Sequence, residues 1–289
     1  MNKITFPSYA KINLYLEILE KRPDGFHNIR TIYQAISLKD TIKIDLIKGN
    51  DIKINSNSKD IPTDASNLVY QAALSVLDKV KIRCGLKINI DKKIPVAAGL
   101  GGGSSNAASV ILGLNKLLNL KLKKKEMLNI ASSVGSDVSF FILEESVALG
   151  EARGDKVTKL KKIPKFWFIV VCPKIEISAK WAYSRYKLGL TREKPGVRIC
   201  IRALRSGNLG RIAPVLYNDL ETVILAKHTE IKDIKNALNN KGVRATLTSG
   251  SGPCIFGILQ SREEAMRIRG ELRRKSERWA MFICHSRCS

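Results

Sequence analysis

The segment best equipped for chemistry is Pro95-Val-Ala-Ala-Gly99-Leu-Gly101-Gly102-Gly103-Ser104-Ser105-Asn106, set between a strand-like and a helix-like stretch. Glycines let backbone N–H groups come close to a ligand and adopt positive φ. The helix that follows contributes unpaired N–H groups and a partial positive charge, which suits a phosphate. Ser104 and Ser105 can cap this helix and face a phosphate or its metal ion. A plain glycine turn with a serine cap would not need four glycines in five residues. Two common phosphate motifs fail on spacing. A Walker A loop has lysine where Ser104 stands, and GxGxxG counted from Gly99 needs glycine there too.

Other reactive side chains are spread along the chain. Lys11 and Asn13 share the polar face of an alternating run, so both can point into one cleft. Lys11 can hold a phosphate or a carboxylate; the bland reading is a surface lysine on an edge strand. Asp137, in Gly135-Ser136-Asp137-Val138, follows a helical pattern and precedes an apolar run, where helix caps and turns also sit. His27, one of 3 histidines, follows Phe26 in a turn-like Pro23-Asp24-Gly25 segment. Asn67 and Leu68 open a helix, where a cap and a core residue are expected. Ser249-Gly-Ser-Gly252 reads as a hairpin turn or a second glycine loop. Cys284-His285-x-x-Cys288 lacks the second ligand pair of a structural zinc site, so no metal is assigned.

The elements positioning these groups follow from periodicity. Strands are expected at 9–19, 29–36, 41–47, 52–55, 86–90, 166–171, 243–248, 254–259 and 279–285. Helices are expected at 66–80, 104–118, 124–134 and 178–188, through much of 191–240, and from Ser261 to about Lys275. A glycine- and lysine-rich shift at 150–165 reads as the join between two halves. Strands and helices do not alternate regularly, so the fold class is α+β rather than a doubly wound sheet.

Composition narrows the function classes. The chain has 289 residues, 44% hydrophobic and 26% charged, which excludes whole-chain disorder. No apolar run nears the ~20 residues of a membrane span. The N-terminal run carries Lys11, Asn13 and Glu17 and does not read as a signal peptide, so a cytoplasmic protein is expected. The 6 cysteines are dispersed and are expected as reduced thiols. The net charge of +24 favours polyanionic partners: nucleic acid, anionic membrane or phosphorylated metabolites. Interleaved Glu263, Glu264, Glu271 and Glu277 make the last basic run a solvated helix face.

PxxxGLGGGSSNAA, with Ala10-Lys11-Ile12-Asn13-Leu14 and Pro23-Asp24-Gly25-Phe26-His27, resembles the motifs of the GHMP kinases. The likeness runs from about residue 7 to 285. It is dense to Asp137 and continues mainly through Asn218-Asp219-Leu220-Glu221 and Ser249-Gly-Ser-Gly-Pro253. It implies a two-domain GHMP kinase fold: a ribosomal S5 domain 2-like half over 1–158 and a ferredoxin-like α+β half over 159–289. It implies a kinase with ATP as co-substrate, Mg²⁺ as its partner, and the 2-hydroxyl of CDP-linked methylerythritol, of the non-mevalonate isoprenoid pathway, as acceptor. Lys11 and Asp137 would then be catalytic. ATP would lie on Pro95, Val96, Ala97, Ala98, Gly99, Leu100, Gly101, Gly102, Gly103, Ser104 and Ser105, with Asn67 and Leu68 near adenine. Asn13, Phe26, His27 and Tyr183 would bind the acceptor, Phe26 stacking on cytosine and Tyr183, with Trp181 as rival, forming the second face. The family's usual residue at Phe26's place is tyrosine; stacking survives the change but a hydroxyl contact does not. Neither membrane nor nucleic acid is implied as a partner, and the molecule is expected as monomer or homodimer. Two alternatives stand beside this reading: a basic RNA-binding module of S5-like fold, and a GHMP kinase acting on mevalonate or homoserine.

Overall fold

The computed structural model describes residues 2–187, 194–274 and 277–287. The first half contains β1 (Lys3–Lys21), β2 (His27–Ile47), β3 (Ile52–Ser56), α1 (Leu68–Val80), β4 (Gly85–Asp91), α2 (Gly102–Leu117), α3 (Lys124–Val134), α4 (Val138–Ile142), β5 (Val147–Glu151) and β6 (Lys156–Lys159). The second half contains β7 (Trp167–Cys172), α5 (Ala179–Arg185), α6 (Val197–Ser206), α7 (Leu209–Ile212), a 3₁₀ turn (Ala213–Val215), β8 (Tyr217–Asn218), α8 (Asp219–Lys227), α9 (Thr229–Asn239), β9 (Thr246–Thr248), β10 (Ile255–Leu259), α10 (Arg262–Arg273) and β11 (Ala280–His285).

Two sheets organise the molecule. The 7-stranded sheet runs β3-β4-β2-β1-β8, with β5 beside β2 and β6 beside β5. The 4-stranded sheet runs β11-β7-β10-β9. The α+β expectation holds, because most strand pairs are antiparallel and the crossover of α1 between the parallel neighbours β3 and β4 is not repeated as a regular alternation.

Strand alternation sorts residues into separate cores. Ala10, Ile12, Leu14 and Ile36 meet Phe168, Val170 and Phe256 of the second sheet in a middle core. On the other face of the first sheet, Ile42, Ile44 and Ile88 pack against α1, α2, α3 and α4 through Ala72, Val110, Ile130 and Phe140. Ile169 and Val171, alternating with Phe168 and Val170, turn to α8, α9 and α10 through Leu220, Ile234 and Ile268. Lys11 and Asn13 therefore lie on the helix side of β1, opposite the middle core.

The halves are stitched together. β8 joins the first sheet in parallel, Tyr15 opposite Tyr217 and Leu16 opposite Asn218. Ile36 bridges to Ser286. The buried Asp219 carboxylate accepts from the Ile18 amide at 2.6 Å and from Lys194 Nζ at 3.0 Å.

Several sequence expectations need correction. Residues 29–36 and 41–47 belong to one strand, because β2 keeps pairing with β1 across a bulge between Tyr9 and Ala10. The first part of the join expected at 150–165 belongs instead to a hairpin of the first sheet, β5 with β6, which ends at Lys159. Gly154 turns at φ +95, and a side chain there would overlap the Tyr33 hydroxyl. The apolar run after Asp137 is a short helix. Cys172 and Cys254 form a disulfide, contrary to the thiols expected. Ile255 pairs with Val171 across β10 and β7, so these cysteines fall opposite one another, Cα atoms 4.3 Å apart. Cys84, Cys200 and Cys284 are free; Cys288 lies outside the described residues, as do the ends expected for the helices at 188 and 275. Among the described residues, no helix is long and apolar enough to cross a membrane.

Candidate active site

The glycine loop begins where β4 ends and lies against β1. The Lys11 amide donates to the Leu100 carbonyl at 2.9 Å, fixing the loop to the strand beside the Lys11 side chain. Gly101 is the N-cap of α2 at φ 67, with no side-chain cap. A Cβ at Gly101 would stand 2.9 Å from Lys11 Cγ and 3.1 Å from Phe141 Cζ, so only glycine lets the loop close over the lysine. The helix thus starts at Gly102, two residues before the expected 104, and the serines do not cap it. Its first amides have no partner within the helix, the arrangement that receives an anion.

The two serines separate in role. Ser105 is 1% exposed and its oxygen accepts from the Ser8 hydroxyl at 2.8 Å, so its side chain faces the interior and not a phosphate. Ser104 is half-buried at the loop's mouth. Lys92 Nζ lies 2.8 Å from where a Gly102 Cβ would stand, adding positive charge at the helix start. Lys92 pairs with the buried Asp40 at 2.6 Å, and burial pushes its pKa down. Asp40 also accepts from the Lys93 and Ile94 amides at 2.6 and 2.8 Å, holding the segment between β4 and the loop. No spacing in the sequence signals this pair.

Lys11 and Asp137 meet. Lys11 Nζ is 3.2 Å from Asp137 Oδ2, and the lysine side chain is only 5% exposed. The Asp137 residue is the N-cap of α4, yet its carboxylate makes no capping bond. Its Oδ1 instead accepts from the Tyr33 hydroxyl at 2.9 Å. Burial, then the Asp137 charge, raise the Tyr33 pKa well above its usual value, so this hydroxyl stays a donor. Sequence reasoning missed Tyr33; its signal was register, since Tyr33 sits opposite Asn13. Asn13 is 2% exposed. It accepts from Lys11 Nζ at 2.6 Å and donates to Thr31 Oγ1 at 2.7 Å, so it aims the ammonium.

The second glycine loop braces the first. The Ser249 hydroxyl donates to the Gly99 carbonyl at 2.9 Å. A Cβ on Gly252 would overlap the backbone of Ala98 and Gly99, so the loops touch main chain to main chain. A Cβ on Gly250 would stand 3.0 Å from Asn13 Oδ1 and 3.4 Å from Lys11 Nζ. The buried Asn218 amide donates to the Gly250 carbonyl at 2.8 Å and to the Thr248 carbonyl at 3.0 Å.

The remaining candidates flank this centre. The His27 and Tyr183 rings stack with centroids 5.4 Å apart. Trp181 is engaged elsewhere, edge-on to His228 at 5.5 Å and beneath Lys227 Nζ at 5.0 Å. Burial, followed by the Asp137 charge, raises the Tyr183 pKa. Phe26 is 51% exposed, with the Arg153 guanidinium over its ring at 5.3 Å. Asn67 caps α1, accepting from the Val69 amide at 2.9 Å. Leu68 Cδ1 lies 3.7 Å from where a Gly103 Cβ would be, which brings the α1 start beside the loop. His285 lies edge-on to Trp167 at 5.4 Å.

Comparison with known proteins gives a consistent picture. The family profile described as GHMP kinases N terminal domain matches residues 67–145, and that described as GHMP kinases C terminal matches residues 200–278. The 4-diphosphocytidyl-2-C-methyl-D-erythritol kinase of Caldicellulosiruptor saccharolyticus is 39% identical over 266 residues, covering 92% of this chain and 91% of the relative. The protein of the same name from Acetivibrio thermocellus is 38% identical over 283 residues, covering 98% and 99%. A crystal structure of 4-(cytidine 5'-diphospho)-2C-methyl-D-erythritol kinase superposes with a TM-score of 0.81 at 27% identity, covering 97% of this chain and 99% of that one.

Proposed function

The chain belongs to the GHMP kinases and, within them, to the 4-diphosphocytidyl-2-C-methyl-D-erythritol kinase family, and from that premise we propose how its own residues do the work. It is a kinase that transfers the γ-phosphoryl group of ATP to the 2-hydroxyl of CDP-linked methylerythritol, giving the 2-phosphate and ADP. Neither the RNA-binding alternative nor mevalonate or homoserine as acceptor is favoured, since the relatives at high coverage carry one name.

The amides of residues 99–104 hold the triphosphate, and the α2 dipole offsets its charge. Adenine lies toward Leu68, whose side chain borders the loop. Phosphoryl transfer passes through a loose transition state, so positioning and charge stabilisation carry most of the catalysis. Lys11 supplies a fixed ammonium held by Asn13 and Asp137. Asp137, held 3.2 Å from that ammonium, orients the acceptor hydroxyl and takes its proton. Tyr33 donates to one Asp137 oxygen and so fixes the carboxylate plane. Each carboxylate oxygen retains a free lone pair for the acceptor. His27 binds the cytosine edge, and Phe26 and Tyr183 supply aromatic faces beside it.

Mg²⁺ is the expected companion of ATP. Among the described residues no group of three His, Cys, Asp or Glu gathers to hold a metal. The half-buried Ser104 hydroxyl is a hard oxygen donor that fits this ion, with phosphate oxygens and water filling the other positions. When bound, the ion neutralises phosphate charge. We place the domain boundary at 158/159, one residue before the end of β6 at Lys159.

The Lys11–Asp137 contact beneath the glycine loop carries this reading. A coupled ADP-release assay comparing CDP-linked methylerythritol, mevalonate and homoserine tests it. Turnover is expected with the cytidine-linked acceptor alone; equal rates with mevalonate or homoserine would assign the acceptor elsewhere.

A further inference from the structure

A cavity of about 380 Å³ lies between β2, β11 and α10. It exists because of the bulge in β2: pairing with β1 passes from Lys39 opposite Tyr9 to Ile36 opposite Ala10, leaving Ser37 and Leu38 outside the ladder. Ser37 turns aside to accept from the His285 amide at 3.1 Å, and the space between the strands becomes the cavity.

Its lining has a definite chemical character. Lys39, Lys93 and Arg269 stand around it, and none of its described lining residues is acidic. Among the described residues Lys93 pairs with the exposed Asp91 at 3.5 Å. Lys39 Nζ sits over the Tyr9 ring at 5.6 Å, and the Arg287 guanidinium crowds the same ring at 4.6 Å. The nearby Asp40 gives no relief, because its oxygens are already taken by Lys92, Asn106 and two amides. Leu38, Met281 and Phe282 provide apolar wall. The cations outnumber the acids beside them, Asp91 on Lys93 and Glu144 4.0 Å from Arg287, and such an excess attracts an anion, while the apolar wall favours a ligand with a hydrocarbon part. The volume suits a small molecule.

We propose that this cavity is a binding site for a small organic phosphate, a phosphate ester carrying a short apolar group. The site is distinct from the glycine loop but tied to it. Lys93 borders the cavity and its amide shares Asp40 Oδ1 with Ile94, immediately before Pro95. The inference does not depend on the kinase reading.

Calorimetric titration with n-butyl phosphate tests it, run with a saturating non-hydrolysable ATP analogue so that the loop is filled. The wild-type chain is expected to bind n-butyl phosphate several-fold more tightly than inorganic phosphate, because the hydrocarbon gains burial. Lys39→Glu with Arg269→Glu should weaken binding by about tenfold or more. The charge-matched control Lys121→Glu with Lys125→Glu, both exposed and far along the chain, should bind as wild type does. Circular dichroism of each variant should match the wild-type spectrum, and Lys39→Gln with Arg269→Gln offers a milder pair with the same expected direction. Equal weakening in the cavity and control variants, or no weakening in the cavity variants, would overturn the proposal. So would equal affinity for the two phosphates.

Discussion

Asp137 occupies a helix N-cap and declines the usual work of that position. Its carboxylate turns to Lys11 and Tyr33, while the α4 amides go without it. Capping contributes about 1 kcal/mol, so the fold gives up some helix stability to present this group. His27 makes a prediction at the same scale. Burial and the Lys21 charge hold its imidazole pKa below the ordinary ~6.5. The ring is therefore neutral at pH 7 and protonates only as pH falls below its usual range. A depressed pKa means that stability gained from the neutral ring is present above the unfolded value and fades on acidification. If the neutral ring meets cytosine, the KM for the acceptor should stay flat above about pH 7 and rise below about pH 6. The KM for ATP should not share this step, and His27→Gln should remove it. Initial-rate kinetics across pH would show both; an identical acid step in the His27→Gln variant would remove His27 from acceptor binding.

At the scale of elements, the two glycine loops act as one device. Gly252 touches the backbone of Ala98 and Gly99, and Ser249 bonds the Gly99 carbonyl. Gly252→Ala must push the first glycine loop aside. A displacement near 1 Å costs about a hundredfold in rate, so kcat/KM for ATP is expected to fall by about that factor with the circular dichroism unchanged. Unaltered ATP kinetics would show that the loops are independent. The sequence made much of this device legible. Pro95–Asn106 is read from glycine density alone, and Lys11 with Asn13 from strand alternation, because both signals are local. What stayed hidden depends on long-range register or on misleading local cues. Tyr33 reaches Asp137 only because β2 pairs with β1 residue by residue. The β5–β6 hairpin is partly read as the 150–165 join because Gly150 and Gly154 look like breakers, whereas both pack against Tyr33. The expected serine cap of α2 fails because Gly101, in the left-handed region, already starts the helix. The Cys172–Cys254 bond follows from strand neighbours 82 residues apart, which no spacing rule foretells.

Across the whole molecule, the active centre is a property of both halves. The loop and Lys11 come from the first sheet, and the Ser249–Gly252 brace with Asn218 comes from the second half. The middle core mixes Ile12, Leu14 and Ile36 with Phe168, Leu204 and Phe256, so neither sheet keeps a complete core without the other. Calorimetric unfolding should accordingly show a single cooperative transition. Two resolved transitions would show that the halves are stable separately. The +24 charge finds partial use in this picture. Lys11 and Lys92 lie against the first glycine loop, and Lys39, Lys93 and Arg269 surround the cavity between β2, β11 and α10. The central claim concerns one carboxylate and its ammonium, and steady-state turnover of purified Asp137→Asn with ATP and CDP-linked methylerythritol tests it most directly. The account predicts a kcat lowered by about a hundredfold or more, with both KM values within a few-fold of wild type. A kcat close to wild type would contradict it.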